Sequence, residues 1–151
     1  MIRRYGPPPL RDIRYPARPG AYGVVVRGGS ILLTFTRSPA PELQLPGGGI
    51  DAGEGVLTAL HREVYEETGW RIAPRRRLGA FRRFVFMPDY DRWAEKICHV
   101  YLAHPVRRLG PPTEPAHEAV WLPLAEAAPR LGNEGDAAMV ARVAQQLSRR
   151  G

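Results

Sequence analysis

The 151-residue sequence holds one cysteine, Cys98, and one lysine, Lys96. A single thiol excludes an internal disulfide and a cysteine-rich zinc site. Long apolar runs are missing as well: stretches such as Tyr22 to Val26 and Ile31 to Leu33 are far too short to cross a bilayer. Met1-Ile2-Arg3-Arg4 is followed by a proline-rich segment where a signal peptide would place its apolar core. No signal peptide is therefore expected, and the cytoplasm is the default location. No internal repeat is evident, and the length predicts one domain over residues 1–151 with a single core. Residues 1–20 read as a basic, proline-rich N-terminal arm.

With lysine nearly absent, the formal charge of +7 is carried by arginine. Two readings follow. The excess is either a surface for RNA or anionic substrates, or the mark of a GC-rich genome, which the abundance of alanine, proline and glycine favours. Arg75-Arg76-Arg77 and Arg82-Arg83 form the densest cluster, interleaved with Phe81, Phe84 and Phe86. At strand spacing Arg82, Phe84 and Phe86 share one face, and Phe81, Arg83 and Val85 the other. That pattern fits a half-buried core strand better than a nucleic-acid reader.

Punctuation residues organise the chain. Ala21 to Arg27 and Ile31 to Arg37 read as strands joined by a Gly28-Gly29 hairpin turn. Further strands are expected near Leu78 to Phe86, Lys96 to Ala103 and Glu118 to Leu122, with a loop from Met87 to Trp93. Asn133 precedes a final helix whose stripe is Met139, Val140, Val143 and Leu147. Strands before and after helices, with a hairpin among them, indicate an α/β fold built on a mixed sheet covered by helices.

The segment Gly48 to Trp70, GGIDAGEGVLTALHREVYEETGW, carries the chemistry. Gly55 to Thr68 reads as an amphipathic helix with an apolar stripe at Leu57, Leu60 and Val64. Glu63, Glu66 and Glu67 stand at i, i+3 and i+4 and converge on one face beside that stripe. Clustered carboxylates repel, and a bound cation removes the repulsion; hard oxygens suit Mg2+ or Mn2+. Arg62, four residues before Glu66, is placed to hold a carboxylate. On its own such a run is more often a solvated acidic face. The preceding Leu45-Pro46-Gly47-Gly48-Gly49, at the end of a short strand, leaves backbone free to approach a ligand and shifts the reading to a metal site.

Gly48, Glu54, Arg62, Glu63, Glu66, Glu67 and Gly69 match every fixed position of G-x5-E-x7-R-E-U-x-E-E-x-G-U, where U is a bulky apolar residue. A chance match is about one in 10^8 per window. The segment resembles the Nudix box, with Val64 in the first apolar slot and Trp70 larger than the usual aliphatic in the last. The resemblance implies an α/β/α sandwich with the box as loop-helix-loop, and hydrolysis of a diphosphate bond in a nucleoside derivative. It implies Glu63, Glu66, Glu67 and the Gly47 carbonyl as the metal shell. The base that takes the water's proton is Glu66, Glu67 or a loop carboxylate, Glu114 or Glu118; Glu118 reads equally as a strand-edge charge beside a buried Trp121. Glu54 is assigned to structure at the helix start.

Ile31 to Gly49 is similar to the mutator-type nucleoside triphosphate pyrophosphohydrolases, which act on oxidised dGTP. In that group an arginine ending the strand before the box and an asparagine before the last helix contact the purine; Arg37 and Asn133 occupy comparable places. Arg37 reads otherwise as a solvated strand end and Asn133 as an N-cap. Phe35 or Tyr22 would stack on a base, or serve as core. Signatures for coenzyme A, ADP-ribose, NADH and dinucleoside polyphosphates are each incomplete, with Val85 where ADP-ribose hydrolases tend to carry proline and Tyr90 late for the dinucleoside pattern. This leaves a nucleoside triphosphate as the expected substrate. RNA 5′ triphosphate ends and a non-catalytic nucleotide sensor are the other readings, and a homodimer bridged by the N-terminal arm is compatible with the family.

Overall fold

A computed structural model describes residues 2–150. Met1 and Gly151, which the single-domain expectation includes, lie outside the described residues. The strands are β1 (Arg3–Arg4), β2 (Ala17–Arg27), β3 (Ser30–Thr36), β4 (Glu42–Gln44), β5 (Gly47–Gly49), β6 (Trp70–Met87), β7 (Arg92–Arg108) and β8 (His117–Pro123). The helices are α1 (Val56–Thr68), α2 (Leu124–Ala127) and α3 (Glu134–Arg150). They form an eight-stranded sheet in the order β1-β6-β7-β2-β3-β4, with β5 added to β2 and β8 to β3. β1 runs parallel to β6 and β2 parallel to β7, while the other pairs are antiparallel, so the sheet is mixed as expected.

Alternation along the strands builds two cores. Ala21, Val25 and Leu32 face α1 and pack with Ala59, Leu60, Val64, Ile72 and Ala103. Val24, Val26, Ile31 and Leu33 point the other way, onto Phe81, Val100 and the α3 residues Met139, Val140 and Val143. The helices therefore cover opposite sheet faces, giving the α/β/α sandwich.

Several expectations are corrected by pairing. The N-terminal arm is not a free tail: Arg3–Arg4 adds to β6, and Ala17 to Gly20 already belong to β2, opposite Glu95 to Cys98. β6 begins eight residues before the expected Leu78, because pairing with β7 carries it through Pro74 and the arginine run with three register shifts. Bulges of this kind admit proline and break the period-2 pattern. The loop from Met87 to Trp93 contracts to a 3-10 turn at Pro88–Tyr90. Leu57 and Leu147, expected in buried stripes, and Trp121, expected to be buried beside Glu118, are exposed. Ala59 takes Leu57's place against the sheet, and Trp121 packs edge-on to Trp70 at the sheet's margin.

Two local devices hold the site's scaffold. Gly69 ends α1 in the left-handed region at φ 78° and donates its N–H to the Tyr65 carbonyl; a Cβ there would collide with the Gly110 carbonyl oxygen. Asp136, buried in the first turn of α3, accepts from the Leu45 N–H at 3.1 Å and so ties the helix to the segment entering β5. Burial raises its pKa to about 6, against the opposing pull of the Leu45 N–H, Arg83 and Asn133.

Gly69→Ala is expected to cost at least about 3 kcal/mol, from left-handed strain plus the backbone collision. Gly28→Ala, with open space around it, is expected to cost about 1 kcal/mol. Denaturant titration of both variants checks this; equal losses would refute the collision. For Asp136 the folded pKa lies above the ordinary 3.8. The neutral form's advantage is therefore complete below pH 4 and lost as pH rises through 6, on the order of 3 kcal/mol in all. In thermal melts Asp136→Asn should gain roughly 5–10 °C on the parent between pH 4 and 7, and parallel pH profiles would refute the assignment.

Candidate active site

The α1 register decides which glutamates face the sheet. Ala59, Leu60 and Val64 are buried, and this turns Glu63 and Glu67, one turn apart, towards β5. The Gly47 N–H donates to Glu67 Oε1 at 3.0 Å. At Gly48 a Cβ would lie 2.5 Å from the Glu63 carboxyl carbon, so that carboxylate occupies the space a side chain would fill. This is the close approach for which the glycine run is needed.

Arg62 gathers the remaining groups. Its Nε and Nη2 donate to the two Glu54 oxygens, both at 2.8 Å. Nη1 reaches Glu63 Oε1 at 2.9 Å and Glu66 Oε2 at 3.4 Å, and Nη2 also reaches the Gly49 carbonyl at 3.0 Å. Glu54 in turn accepts from the Asp51 N–H at 3.0 Å, which closes the loop before the helix. The Arg62 bonds, with help from the Asp51 N–H, hold the Glu54 pKa down to about 2, and Glu54 raises that of Arg62. Burial pushes Glu63 and Glu67 the other way; for Glu67 the neighbouring charges of Glu63, Glu114 and Glu66 add to the effect.

A hard divalent ion suits this donor set. Two of the carboxylates are pressed against glycine backbone with raised proton affinity, a condition that a cation relieves. Among the described residues no three His, Cys, Asp or Glu side chains converge as an ion would require. Glu63 and Glu66 are instead turned onto Arg62 and Glu67 onto the Gly47 N–H.

His117 escaped the reading of the sequence. Its Nε2 lies 3.5 Å from Glu67 Oε2, and its Nδ1 is 2.8 Å from the hydroxyl of buried Thr34. Burial lowers its pKa, with Glu114 opposing. A neutral ring accepting from Thr34 at Nδ1 presents Nε2–H to Glu67. The only signal in sequence was a histidine beside Glu118 at the start of a strand. Glu114 is tied to the end of α1 by its N–H, which donates to the Glu66 carbonyl at 2.9 Å.

Glu118 lies elsewhere. It stands opposite Phe35 in the β3–β8 register, one step from His117 and so on the other face of the sheet. There it pairs with Arg37 at 2.9 Å, both side chains more than half exposed, and Arg37 sits 5.3 Å over the Phe35 ring. The structure thus brings Arg37, Phe35 and Glu118 together on the α3 face, apart from the box carboxylates. Asn133 caps α3, its Oδ1 accepting from the Asp136 N–H at 2.8 Å.

Near this cap lie Lys96, Arg83 and Cys98, also missed, and Tyr22, the stacking alternative to Phe35. Lys96 stands opposite Arg83 on β6 and Arg18 on β2. Burial lowers the Lys96 pKa, pushes Cys98 up to about 12 and raises Tyr22. The signal was present: Lys96 interrupts an inward alternation of Ala94, Cys98 and Val100, a polar slot in a core face.

A NUDIX domain model matches residues 17–143. Among curated proteins, a Bacillus subtilis protein named as a candidate 8-oxo-dGTP diphosphatase is 34% identical over 70 residues, 46% of this chain and 47% of that one. A CMP-5′-(N-acetyl-N-hydroxy-3-aminopropyl)phosphonate hydrolase of Streptomyces rubellomurinus is 35% identical over 117 residues, 73% of this chain and 54% of that one. The chain spans about half the length of these curated relatives. Of solved structures, a MutT protein from Methanosarcina mazei superposes with TM-score 0.70 at 20% identity, covering 89% of this chain and 98% of that one. A MutT NUDIX hydrolase from Burkholderia pseudomallei gives 0.53 at 31%, covering 72% and 84%. With the box complete, the sandwich in place and the family match running from β2 into α3, the chain belongs to the NUDIX family.

Proposed function

We propose that this protein is a divalent-metal-dependent hydrolase of nucleoside diphosphate-linked compounds, with a (deoxy)nucleoside triphosphate, oxidised dGTP included, as its substrate. The observation that carries the reading is the arginine-gathered set of Glu63 and Glu66, with Glu67, against Gly47 and Gly48. Glu63, Glu66, Glu67 and the Gly47 carbonyl would hold Mg2+ or Mn2+, which when bound neutralises phosphate charge and lowers the pKa of a coordinated water. Arg62 keeps Glu63 and Glu66 aligned, and Glu54 keeps Arg62 in place. Glu67, fixed by the Gly47 N–H and flanked by His117, is better placed than Glu118 to accept the water's proton. Arg37 and Phe35 on the α3 face would receive the base or ribose, and Asn133 the purine edge. The names of the Bacillus and Streptomyces relatives support a nucleotide substrate. The second relative, aligned over more of this chain, favours a cytidylyl phosphonate as the alternative.

Mg2+-dependent hydrolysis should be measured as pyrophosphate or phosphate release from dNTPs, oxidised dGTP and RNA bearing a 5′ triphosphate, and as CMP release from cytidylyl phosphonates. Glu67→Gln is expected to lower kcat about 10^2- to 10^4-fold, while Glu118→Gln changes it less than about threefold, as suits an exposed pair. The reverse ranking would move the base to β8. Asn133→Ser retains an N-cap and removes the amide. If Asn133 reads the purine, KM for purine substrates rises at least about tenfold, a lost polar contact, with the melting temperature unchanged. An unchanged KM would leave Asn133 as a cap alone.

A further inference from the structure

At the Gly28-Gly29 end of the sheet, the β2–β3 turn, β6, β7 and the last turn of α3 enclose a cavity of about 420 Å3. Arg27, Arg75, Arg76, Arg150 and His104 line it, and no carboxylate does. Chain neighbours supply no acidic side chain: residues 69–88, 96–113 and 137–151 contain no aspartate or glutamate. Among the guanidinium groups, Arg76 is held at the cavity by a neutral acceptor, Gln146 Oε1 at 2.9 Å, while that of Arg27, bonded to the Pro105 carbonyl at 3.0 Å, lies over the Trp70 ring on the α1 side. Arg76 is therefore positioned without losing its charge. His104 Nδ1 is engaged by the Val26 carbonyl at 3.2 Å, which leaves Nε2 for a ligand. Val26 and Leu102 supply an apolar wall.

This cavity is separate from the glutamates. Val26 belongs to the α3 core, whereas α1 packs on its neighbour Val25. Gly47 pairs with Tyr22, five residues before Arg27 on β2, a separation of roughly 17 Å along the strand.

We propose that the cavity is a second, non-catalytic site that binds the phosphate chain of a small oligophosphate, such as a nucleoside polyphosphate. Forked guanidinium groups match phosphate oxygens two at a time. The volume falls in the range of small-ligand sites. A concave site with an apolar wall suits a compact ligand better than an extended nucleic-acid backbone, which needs an open track.

The test is calorimetric titration of the full chain with sodium tripolyphosphate in EDTA, where metal-dependent binding at the glutamates is silent. One binding event per chain is expected, weakening as NaCl is raised. Arg75→Ser with Arg76→Ser should weaken it at least about tenfold, the scale of lost charge-assisted hydrogen bonds. Arg11→Ser with Arg14→Ser removes the same charge from the N-terminal segment and should leave affinity within about twofold, circular dichroism melts confirming that both variants fold. No binding, or equal losses in the two double variants, would overturn the site in favour of diffuse attraction. Tighter binding of a single-stranded RNA decamer than of tripolyphosphate would overturn the small-ligand assignment. Turnover with Mg2+ reads the glutamate site independently and is expected to be unchanged in Arg75→Ser with Arg76→Ser.

Discussion

The geometry of the box rests on one guanidinium. Arg62 binds Glu54 through both oxygens, reaches Glu63 and Glu66 on its own helix, and donates to the Gly49 carbonyl as well. A lysine has one point charge on a flexible stem and cannot serve these directions together. The four box glutamates, Glu54, Glu63, Glu66 and Glu67, against one guanidinium leave the group three charges short of neutrality. Because Glu63 and Glu67 are also drawn out of water, that deficit cannot be screened by solvent as it would be on an exposed helix. A divalent ion has the sign to offset most of this deficit, and the arginine offsets part of the glutamate charge already, which gives a physical reason for the box to keep it beside the glutamates.

Around this clamp the scaffold works by close approach of backbone. Gly48 gives its side-chain volume to the Glu63 carboxylate, and Gly69 lets the loop ending β7 cross the end of α1. Leu109 N–H then bonds the Gly69 carbonyl, and Glu114 N–H the Glu66 carbonyl, so the loop before β8 is fastened to the helix that bears the glutamates. That fastening brings His117 to Glu67. The position of β8 is in this way a consequence of the helix terminus as much as of its pairing with β3.

The box was legible because its residues act within one helix and the loop before it, where spacing alone sets which groups meet. The sandwich was legible from the order of strands and helices. What the sequence concealed depended on register between distant segments. Glu118 and His117 are neighbours in the chain, yet the β3–β8 register sends one to Phe35 and Arg37 and the other to Thr34 and Glu67. The N-terminal residues looked like an arm because proline and arginine dilute the apolar pattern, but they complete two strands. Trp121 was misjudged for a related reason. Its face of β8 meets the margin of the sheet, where one aromatic neighbour replaces a full core.

Register also governs how the net positive charge is distributed. β6 and β7 are long antiparallel partners, so the arginines near the start of β6 meet those near the end of β7, Arg71 lying opposite Arg107. The acidic residues of these two strands and their turn, Asp89, Asp91 and Glu95, lie at the other end of the hairpin. Positive charge is thereby concentrated at one end of the sheet, while the glutamates of α1 sit beside β5 with Arg62 as their bonded cation. Distances beyond a Debye length of about 8 Å are largely screened at physiological salt. The arginine end can thus attract anions without quenching the negative potential at the box glutamates, and one small domain can hold two opposite electrostatic environments.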